Sequence, residues 1–335
     1  MDKTIRFGII GCGMIAGIHA KAIESLENAR LVGAVDYQPD RAAQFAREHD
    51  ITAYPNAAAM LADEQIDAVC ICTPSAFHAD TALTALAHHK HVVLEKPMAL
   101  DSKTADQVVA ACEQNHCLLT VISQLRFSQD VQRVKQLLEE NAFGRITMCS
   151  LYMKYWRDQE YYASSSWKGT LRFDGGGALM NQGIHGIDLL QYLMGVPRVV
   201  SGLTKTLTHD IEVEDTAAAL LEFENGAIGV VEAATSAYPG FDRRLEIVGD
   251  RGHVILQENT IQQLVMDCKP VELFPRQPAS VNTSSDPTVL DYQMHARQIQ
   301  NLIEAVHGRE ALLIDAAEGR KAVKIIEHIY SFCRK

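Results

Sequence analysis

The segment GIIGCGMIAG, residues 8–17, decides how the first part of this chain folds. It places Gly11, Gly13 and Ala16 in the spacing G-x-G-x-x-A, after the apolar run TIRFGII and before an amphipathic stretch of helical spacing. In such a strand–turn–helix unit, the first glycine permits the tight turn and the second lets a pyrophosphate approach the backbone. The small third residue lets helix and strand pack closely, and the helix N-terminus attracts phosphate. The segment therefore predicts a dinucleotide-binding turn.

A carboxylate beyond the turn indicates which dinucleotide binds. Asp36 ends the second apolar run, ARLVGAVD, 20 residues after Ala16. A carboxylate at that place accepts hydrogen bonds from the adenosine ribose and repels a 2′-phosphate. We therefore expect NAD as the cofactor in preference to NADP. The alternative, a glycine-rich turn with an unrelated surface aspartate, leaves the order of strand, turn, helix and strand unexplained.

The residues after the turn continue to alternate between strand and helix patterns. Up to residue 123, apolar runs rich in Val and Ile are separated by amphipathic stretches, as in IDAVCICT, FHADTALTALAHH and HVVLEK. Strands of this composition with helices between them are typical of a parallel sheet covered on both faces. Residues 1–123 are therefore predicted to form an α/β, doubly wound Rossmann domain that binds NAD.

The pattern changes after residue 124. Longer and often alternating runs follow, joined by hairpin signals such as ENG at 224–226 and GDRG at 249–252. Residues 124–335 are therefore predicted to be an α+β domain, for substrate binding and oligomerisation, on a largely antiparallel sheet. Composition and periodicity further predict a loop at 269–288, where four prolines lie, and helices at 290–307 and 315–333.

Composition excludes several classes of protein. The 335 residues are 47% hydrophobic and 22% charged, with a formal net charge of −11. The acidic balance and the lack of a basic run argue against nucleic-acid binding. No apolar stretch reaches the roughly 18 residues of a membrane span. The N-terminal MDKTIRFGII lacks a signal-peptide h-region, so we expect a cytoplasmic protein.

The cysteines and histidines do not predict a metal site. None of the eight cysteines is in C-x-x-C spacing, and Cys70 and Cys72 are expected to face one side of a strand as small hydrophobes. His88, His89 and His91 lie in a turn between a helix and a strand. No carboxylate or cysteine shares their local spacing, so a solvated loop is the better interpretation.

Two strand ends carry the remaining polar motifs of the first domain. Ligands of doubly wound sheets bind at the carboxyl ends of the strands. The stretch CICTPSAFH places Thr73, Pro74 and His78 at one such end, and VVLEKP places Glu95, Lys96 and Pro97 at another. The charged pair of the second end is expected where nicotinamide and substrate meet.

Four motifs together resemble the Gfo/Idh/MocA oxidoreductases: GIIGCGMIA, TPSAFH, EKP and DGGGALMNQGIHGIDLLQYLMG. That family includes glucose–fructose oxidoreductase, inositol dehydrogenases and nucleotide-sugar 3-dehydrogenases, and the resemblance covers essentially the whole chain. It implies a Rossmann domain and a second domain whose open antiparallel sheet packs in homodimers or homotetramers. It also implies oxidation of a secondary alcohol on a sugar or cyclitol.

The resemblance assigns roles to single residues. It implies that Lys96 is the catalytic lysine, that the bond before Pro97 is cis, and that His185 is the active-site histidine. Two positions depart from the inositol dehydrogenase pattern. Asn181 stands where an aspartate is usual, and Ser75 stands where asparagine is frequent.

The chemistry of alcohol oxidation requires a base for the hydroxyl proton. A free lysine has a pKa of about 10.4, but burial and the positive nicotinamide both lower it, so Lys96 is expected to act as the base or to hold the hydroxyl. Asn181, His185 and Asp188 are spaced to share one helix face. Since Asn181 cannot raise the basicity of His185 as a carboxylate would, we expect Lys96 to accept the proton and His185 to assist.

The predicted contacts form two sets. Those to NAD are Gly11, Gly13, Met14, Ile15, Asp36, Thr73, Pro74, His78, Glu95, Lys96, Pro97 and Gln124. Those to substrate are Lys96, Arg126, Tyr161, Trp167, Asn181, His185 and Tyr238, with Tyr161, Tyr162, Trp167 and Lys168 forming an aromatic and polar patch suited to sugar rings.

Several functions stay open at this point. The leading one is an NAD-dependent dehydrogenase for a sugar, glycoside, nucleotide sugar or cyclitol. The Asn form of the GGALxNQxIH motif favours a nucleotide sugar or glycoside over a free inositol. The alternatives are a redox glycosidase or epimerase that retains its NAD, and an NAD-binding regulator without turnover. No metal, nucleic acid or membrane is expected as a partner.

Overall fold

The computed structural model describes residues 3–272 and 291–333, in two compact units. Unit 1 comprises Met1–Gln124 and Asp291–Arg320, and unit 2 comprises Leu125–Leu290 and Lys321–Lys335. The first boundary lies one residue from the predicted one. The prediction nevertheless assigned Asp291–Arg320 to the second domain, whereas its contacts place it in unit 1. The difference arises because a C-terminal helix packs into the core of unit 1.

The described residues form strands and helices that are numbered here in chain order. The strands are β1 (Ile5–Ile10), β2 (Ala29–Val35), β3 (Thr52–Ala53), β4 (Ala68–Ile71), β5 (His91–Leu94), β6 (Leu119–Val121), β7 (Ile146–Lys154), β8 (Arg198–Lys205), β9 (Thr216–Glu222), β10 (Ile228–Ala234), β11 (Arg244–Gly249), β12 (His253–Gln257), β13 (Thr260–Met266) and β14 (Lys269–Pro270). The helices are α1 (Met14–Glu24), α2 (Pro39–His49), α3 (Ala57–Leu61), α4 (His78–Ala87), α5 (Ser102–Asn115), α6 (Gln129–Glu139), α7 (Gln159–Ala163), α8 (Ile184–Met194), α9 (Gln293–Val306) and α10 (Ala316–Ser331).

Unit 1 is built on a parallel sheet in the order β3-β2-β1-β4-β5-β6. This is the strand order of the Rossmann fold. The strands stay parallel, but the order in which the chain adds them to the sheet reverses between β1 and β4. Local chemistry fixes the helices: Pro39 opens α2, and the Asp101 side chain caps α5 by accepting a hydrogen bond from the Thr104 amide at 2.7 Å. The predicted Rossmann domain is confirmed.

The core of unit 1 explains why the C-terminal helix belongs there. Apolar residues of α9, Ile299 and Ile303 among them, are buried in one cluster with Ala20 and Ile23 of α1. Because α9 is strongly amphipathic, it needs an apolar surface, and α1 provides it. The change of sequence pattern after residue 124 had assigned this helix to the second domain instead.

Unit 2 is built on an eight-stranded sheet in the order β14-β13-β12-β11-β7-β10-β9-β8. Apart from the parallel pair of β7 and β10, neighbouring strands are antiparallel, which confirms the predicted sheet. The strands alternate between buried and exposed residues. Val248, Met148 and Ile228 stand in one cross-strand row and all three side chains are exposed.

The segment that carries Asn181, His185 and Asp188, for which one helix face was predicted, forms two successive helices. A π-helix covers Ala178–Gly183, and α8 follows directly. The Glu214 carboxylate accepts hydrogen bonds from the amides of Gly177 at 3.0 Å and Leu179 at 2.9 Å, and so fixes the start of the π-helix. A Cβ on Gly177 would lie 1.9 Å from the Glu214 carbonyl oxygen, so only glycine fits there.

Two further expectations concern the chain as a whole. Among the described residues, no helix combines the length and the apolar character needed to cross a membrane. The cytoplasmic location stays a prediction. The predicted loop at 269–288 lies outside the described residues from position 273 onward.

Candidate active site

The glycine turn of unit 1 has the shape that a dinucleotide needs. Gly11 has φ +93°, and a Cβ there would lie 2.7 Å from the Cys72 carbonyl oxygen. Gly13 opens α1, and a Cβ there would meet nothing within 4 Å. Ala16 is fully buried against the sheet. The turn is therefore closed on its strand side and leaves space above Gly13 at the helix N-terminus.

Asp36 lies beside that turn at the end of β2. Its Oδ2 accepts a hydrogen bond from the Cys12 amide and its Oδ1 accepts one from the Gln38 amide, both at 2.8 Å. The Arg41 guanidinium is 3.8 Å from Oδ2 and half-exposed. Each carboxylate oxygen retains acceptor capacity, so Asp36 is oriented to receive ribose hydroxyls.

The carboxyl ends of three neighbouring strands meet along the same edge. Gly11 follows β1, Thr73 lies beyond β4, and Lys96 lies beyond β5, and these strands are adjacent in the sheet. Since parallel strands are about 4.8 Å apart, the three positions lie within about 10 Å along that edge. The structure thus brings the three predicted segments of the cofactor site together.

Two buried polar atoms at this edge test whether NAD fits. Within the part of the chain that is described, Thr73 Oγ1 and Gln124 Oε1 are buried without a hydrogen-bond partner. Buried hydroxyl and amide oxygens are normally satisfied, and unsatisfied ones point to a missing partner. The carboxamide and ribose of a nicotinamide nucleotide offer donors of this kind. Together with the space at Gly13, these atoms fit the cofactor.

His78 lies at the predicted strand end, with both ring nitrogens next to backbone carbonyl oxygens. It is buried, with Nδ1 2.6 Å from the Pro97 carbonyl oxygen and Nε2 2.7 Å from the Thr73 carbonyl oxygen. Burial lowers the pKa of its imidazole. This arrangement favours a role in tying two strand-end loops together over the predicted contact with NAD.

The Glu95–Lys96 pair is also divided between two environments. Glu95 is 6% exposed, and its Oε2 accepts a hydrogen bond from the Lys96 amide at 3.2 Å. Burial acts to raise the pKa of Glu95, but the hydrogen bond and charge of His19 outweigh it and lower the pKa to about 2. Lys96 is half-buried, and its bond to Pro97 is cis, as expected. Met14 is largely exposed, and Ile15 packs against the core of unit 1.

Unit 2 carries its own polar cluster around the π-helix. The Asn181 amide donates to Asp174 Oδ1 at 2.5 Å, and Gln182 Nε2 donates to the Tyr161 hydroxyl at 2.9 Å and to Asn181 Oδ1 at 3.1 Å. A carboxylate thus supports this helix after all, because Asp174 lies beside Asn181. Asp174 itself is buried, and its Oδ2 accepts from the Gly169 amide at 3.0 Å.

Two cations border this cluster. Arg157 is buried and donates to Gln182 Oε1 at 2.9 Å, and its guanidinium lies 5.5 Å from the centre of the Tyr161 ring. Lys168 Nζ lies 4.0 Å from the same ring centre. Burial lowers the pKa of Lys168, and the charge of Arg157 adds to that effect. With Asp174 as the carboxylate, these six side chains carry a positive balance.

The three residues of the predicted helix face lie in different environments. Asp188 is buried against Arg126, which is itself fully buried, with Nε–Oδ2 and Nη2–Oδ1 distances of 2.8 Å and 2.6 Å. His185 is half-buried near the start of α8. Asn181 lies in the π-helix, whereas His185 and Asp188 lie in α8. The ion pair favours a structural role for Arg126 over the predicted substrate contact.

The aromatic patch is partly where it was predicted. Tyr161 and Trp167 are half-buried in the segment that begins with α7, next to Lys168. Tyr238 is 75% exposed and lies edge-to-face on Trp156, with ring centres 5.4 Å apart. Their contacts with substrate stay predictions.

The structure adds residues that sequence reasoning missed. In unit 1 these are His19 and His295, which lie beside Glu95. In unit 2, His209 contacts Asp215 Oδ2 through Nδ1 at 3.0 Å and the Arg157 carbonyl oxygen through Nε2 at 2.8 Å. Their sequence signal was weak: His19 lies in the predominantly apolar segment GMIAGIHAKAI, but His209 and His295 lie in polar segments. A polar residue in an apolar segment predicts a buried polar site but does not name its partner.

The cysteines and histidines singled out in the sequence lie in different environments. Cys70 and Cys72 are buried, as predicted. His88 and His89 are exposed, whereas His91 Nδ1 accepts a hydrogen bond from the Leu118 amide at 3.0 Å. The three histidines therefore do not converge on a common point.

Two family profiles match the chain. The profile described as "Oxidoreductase family, NAD-binding Rossmann fold" matches residues 5–123, and the one described as "GFO/IDH/MocA C-terminal domain" matches residues 131–255. The two ranges correspond to the sheets of units 1 and 2.

Known proteins of similar sequence and fold agree with these profiles. The WlbA dehydrogenase from Bordetella pertussis, solved with NADH and UDP-GlcNAcA, is 31% identical, with a TM-score of 0.89 over 100% of this chain and 96% of that one. The myo-inositol 2-dehydrogenase of Thermotoga maritima is 26% identical over 77% of each chain. The 2,7-anhydro-N-acetylneuraminate hydratase of Mediterraneibacter gnavus is 26% identical over 75% of this chain and 67% of that one.

Proposed function

The chain belongs to the GFO/IDH/MocA family of NAD-binding oxidoreductases, and from that premise we propose that it is a dehydrogenase for a ring hydroxyl of a nucleotide sugar. The coarser statement, a dehydrogenase for sugars or cyclitols, agrees with the names of its relatives. We propose more specifically that the substrate is a nucleotide sugar, and that its sugar is acidic.

The observation that carries the proposal is the edge of the sheet in unit 1. Gly13 leaves room for a pyrophosphate, Asp36 is oriented for a ribose, and Thr73 Oγ1 and Gln124 Oε1 are buried without partners in the described chain. Lys96 ends the adjacent strand segment. Bound there, NAD supplies the hydride acceptor, which leaves the hydroxyl proton to the protein.

We assign that proton to Lys96. As the substrate carbon gives up its hydride, the hydroxyl proton passes to the lysine amine, which becomes an ammonium. His185 assists by holding the hydroxyl. Asn181, bound to Asp174, keeps the π-helix in place but does not itself titrate.

The charge of the cluster in unit 2 supports an anionic substrate. Arg157 and Lys168 provide two cationic groups at the Tyr161 ring, and Asp174 provides the carboxylate bound to Asn181. A planar guanidinium and an aromatic face suit a sugar carboxylate and a ring, respectively. The WlbA dehydrogenase was solved with UDP-GlcNAcA, whose name denotes such an acidic nucleotide sugar.

We also propose that the exposed face of the sheet in unit 2 forms a homodimer or homotetramer interface. Val248, Met148 and Ile228 lie side by side across three strands, and Leu220 and Leu203 are exposed on neighbouring ones. A contiguous exposed apolar surface of this kind is typical of a protein–protein interface.

The experiment is an absorbance assay at 340 nm with NAD⁺ and a panel of UDP-sugars, UDP-sugar acids, methyl glycosides, free sugars and inositols. We expect NADH from UDP-sugar acids. Lys96→Ala is expected to lower kcat by about 10²–10⁴-fold, the range for loss of a general base, while NAD binding by calorimetry is retained. Lys103→Ala, an exposed lysine of α5, is the control. NADH from inositols alone would refute the nucleotide-sugar assignment, and an unchanged kcat in Lys96→Ala would remove Lys96 from the mechanism.

A second candidate is favoured by one relative. The hydratase from Mediterraneibacter gnavus is named for a reaction without net oxidation. An enzyme that retains NAD and returns the hydride would produce no NADH and yet alter the sugar. Mass spectrometry of the same reaction mixtures distinguishes the two, because product without NADH indicates a retained cofactor. Tight NAD binding with neither product nor NADH would indicate a regulator.

A further inference from the structure

Three ionisable side chains from distant segments meet in the core of unit 1. His19 of α1, Glu95 after β5 and His295 of α9 are 0%, 6% and 2% exposed. His19 Nε2 lies 2.8 Å from Glu95 Oε1, and the two imidazole rings meet nearly at right angles, with centres 5.5 Å apart. We call these three residues the buried triad. Buried charges are costly unless they are paired, so their protonation can be inferred.

The triad contains one ion pair and one neutral ring. The pKa of Glu95 is lowered to about 2, as described above, so its carboxylate is ionised. Burial acts to lower the pKa of His19, yet it lies well above its ordinary value. The Glu95 carboxylate at 2.8 Å stabilises the imidazolium. Burial and then the charge of His19 lower the pKa of His295 to about 4. At neutral pH the pair is therefore imidazolium and carboxylate, next to a neutral imidazole.

The ion pair is connected directly to the predicted catalytic residue. Glu95 Oε2 accepts a hydrogen bond from the Lys96 amide at 3.2 Å. On the other side, His78 Nδ1 lies 2.6 Å from the Pro97 carbonyl oxygen. The two peptide groups that flank the Lys96–Pro97 unit are thus both held by buried ionisable side chains. A rotation of the backbone at Lys96 would break one contact or the other.

Several ionisable groups face the Glu95 carboxylate. Besides His19, these are His295 of α9, Lys96 on its own segment, Cys72 beyond β4, and His78 of α4. His295 in turn faces Asp291, which precedes α9. The Glu95 carboxylate and Lys96 therefore interact electrostatically within unit 1.

A metal ion is the competing interpretation of the triad. Its ligand atoms lie within 4.8 Å of one another. However, two ligands of a tetrahedral zinc, each at about 2.0–2.1 Å, are about 3.3 Å apart. The His19–Glu95 distance of 2.8 Å is instead that of a charge-assisted hydrogen bond. The pair is therefore made directly and not through an ion.

We propose that the buried His19–Glu95 pair positions Lys96 and sets the pH at which it accepts the substrate proton. His19 and Glu95 are positioning residues: neither touches the substrate. The proposal rests on the proposed function, in which Lys96 is the proton acceptor. When the hydroxyl proton moves to the lysine amine, Glu95 stays a carboxylate and stabilises the ammonium that forms, while His19 offsets part of that charge.

The proposal predicts opposite effects from its two members. In Glu95→Gln the negative charge next to Lys96 is lost, so the acidic limb of the pH profile of kcat/KM is expected to move to lower pH. In His19→Gln the amide still donates to Glu95 but the positive charge is lost, so the limb is expected to move to higher pH. At the effective dielectric of proteins, a change of one charge near a titrating group shifts such a limb by about one pH unit.

A matched control is available on the surface of unit 1. His49 Nδ1 contacts Glu24 at 2.7 Å, a pair of the same chemistry. His49→Asn is expected to leave the limb unchanged. Shifts in the same direction for Glu95→Gln and His19→Gln, or no shift in both, would overturn the proposal, because loss of structural support alone lowers kcat without moving the limbs in opposite directions.

A second measurement does not depend on substrate. Lysines are labelled by reductive methylation with ¹³C-formaldehyde, the Lys96 resonance is assigned by its loss in Lys96→Arg, and its titration is followed by NMR. The midpoint is expected to fall in Glu95→Gln and rise in His19→Gln. These shifts in a protein that oxidises nothing would uphold the proposal's electrostatics and reject the proposed function. Unshifted midpoints in an active enzyme would do the reverse.

If Glu95→Gln fails to fold, His19→Gln alone still tests the sign of the shift. One equivalent of metal in the purified protein, lost in His19→Gln, would overturn the ion pair.

Discussion

Replacing His295 with phenylalanine should remove part of the pH dependence of the stability of this protein. His295 is 2% exposed, and its pKa is lowered from 6.5 to about 4 by burial and by the charge of His19. The unfolded chain therefore binds more protons than the folded one below pH 6.5. Stability is fully present above pH 6.5 and is lost as the pH falls toward 4. At about 1.36 kcal/mol per unit, the loss between pH 6.5 and 5 is about 2 kcal/mol.

The assay is urea unfolding, followed by circular dichroism, at pH 7.5 and pH 5.0. The wild-type protein should lose about 2 kcal/mol more than His295→Phe between these two conditions, because phenylalanine does not titrate. His88→Phe, at an exposed position, should behave like the wild type. Equal losses in wild type and His295→Phe would show that His295 is not held neutral by the fold, and the described charges of the buried triad would then be wrong.

Three further predictions concern the cofactor and the sheet. Asp36→Ala should weaken NAD binding by about 10–100-fold, the effect of losing one or two charged hydrogen bonds, and reduce the preference over NADP; an unchanged preference in calorimetry would mean that another residue reads the ribose. Gly11→Ala should lower stability by about 1–3 kcal/mol, because φ is +93° and the Cβ meets the Cys72 backbone, whereas Gly13→Ala should fold normally and lose NAD binding. The reverse pattern would contradict the roles given to the two glycines. Met148→Asp should shift the molecular mass by light scattering toward the monomer, and an unchanged mass would exclude this face as the interface.

The fold could be predicted from the sequence because its evidence is local. Each strand of unit 1 is an apolar run next to an amphipathic helix, and the G-x-G-x-x-A turn fixes how the first two join. The hairpin signals likewise placed the antiparallel strands of unit 2. Periodicity does not encode which core a helix enters, however, so α9 was assigned to the wrong unit. The π-helix was not predicted for a related reason. It depends on Glu214, which lies more than thirty residues away in sequence.

The residues of the candidate site also differ in whether a local motif or a distant partner determines their place. Asp36 and Lys96 were predicted because a short motif brings each to a strand end. Arg126 shows the opposite case, since its environment depends on Asp188, 62 residues away. His19 and Glu95 are 76 residues apart, and no short-range pattern links them. Residues held by distant partners become visible only when the fold is known.

Stability alone does not explain why the buried triad exists. Replacing a buried ion pair by well-packed apolar residues is often neutral or stabilising, and the surrounding core of unit 1 is apolar. The neutral His295 adds a cost at acidic pH, because its protonation is opposed by burial and by His19. A sequence that departs from local consistency usually does so at a functional site. The buried triad is such a departure, and its Glu95 accepts a hydrogen bond from the Lys96 amide. A charge fixed in an apolar core acts on its neighbour with little screening by solvent, which a surface carboxylate could not do. The position of the triad is therefore better explained by control of the lysine's proton than by the strength of the fold.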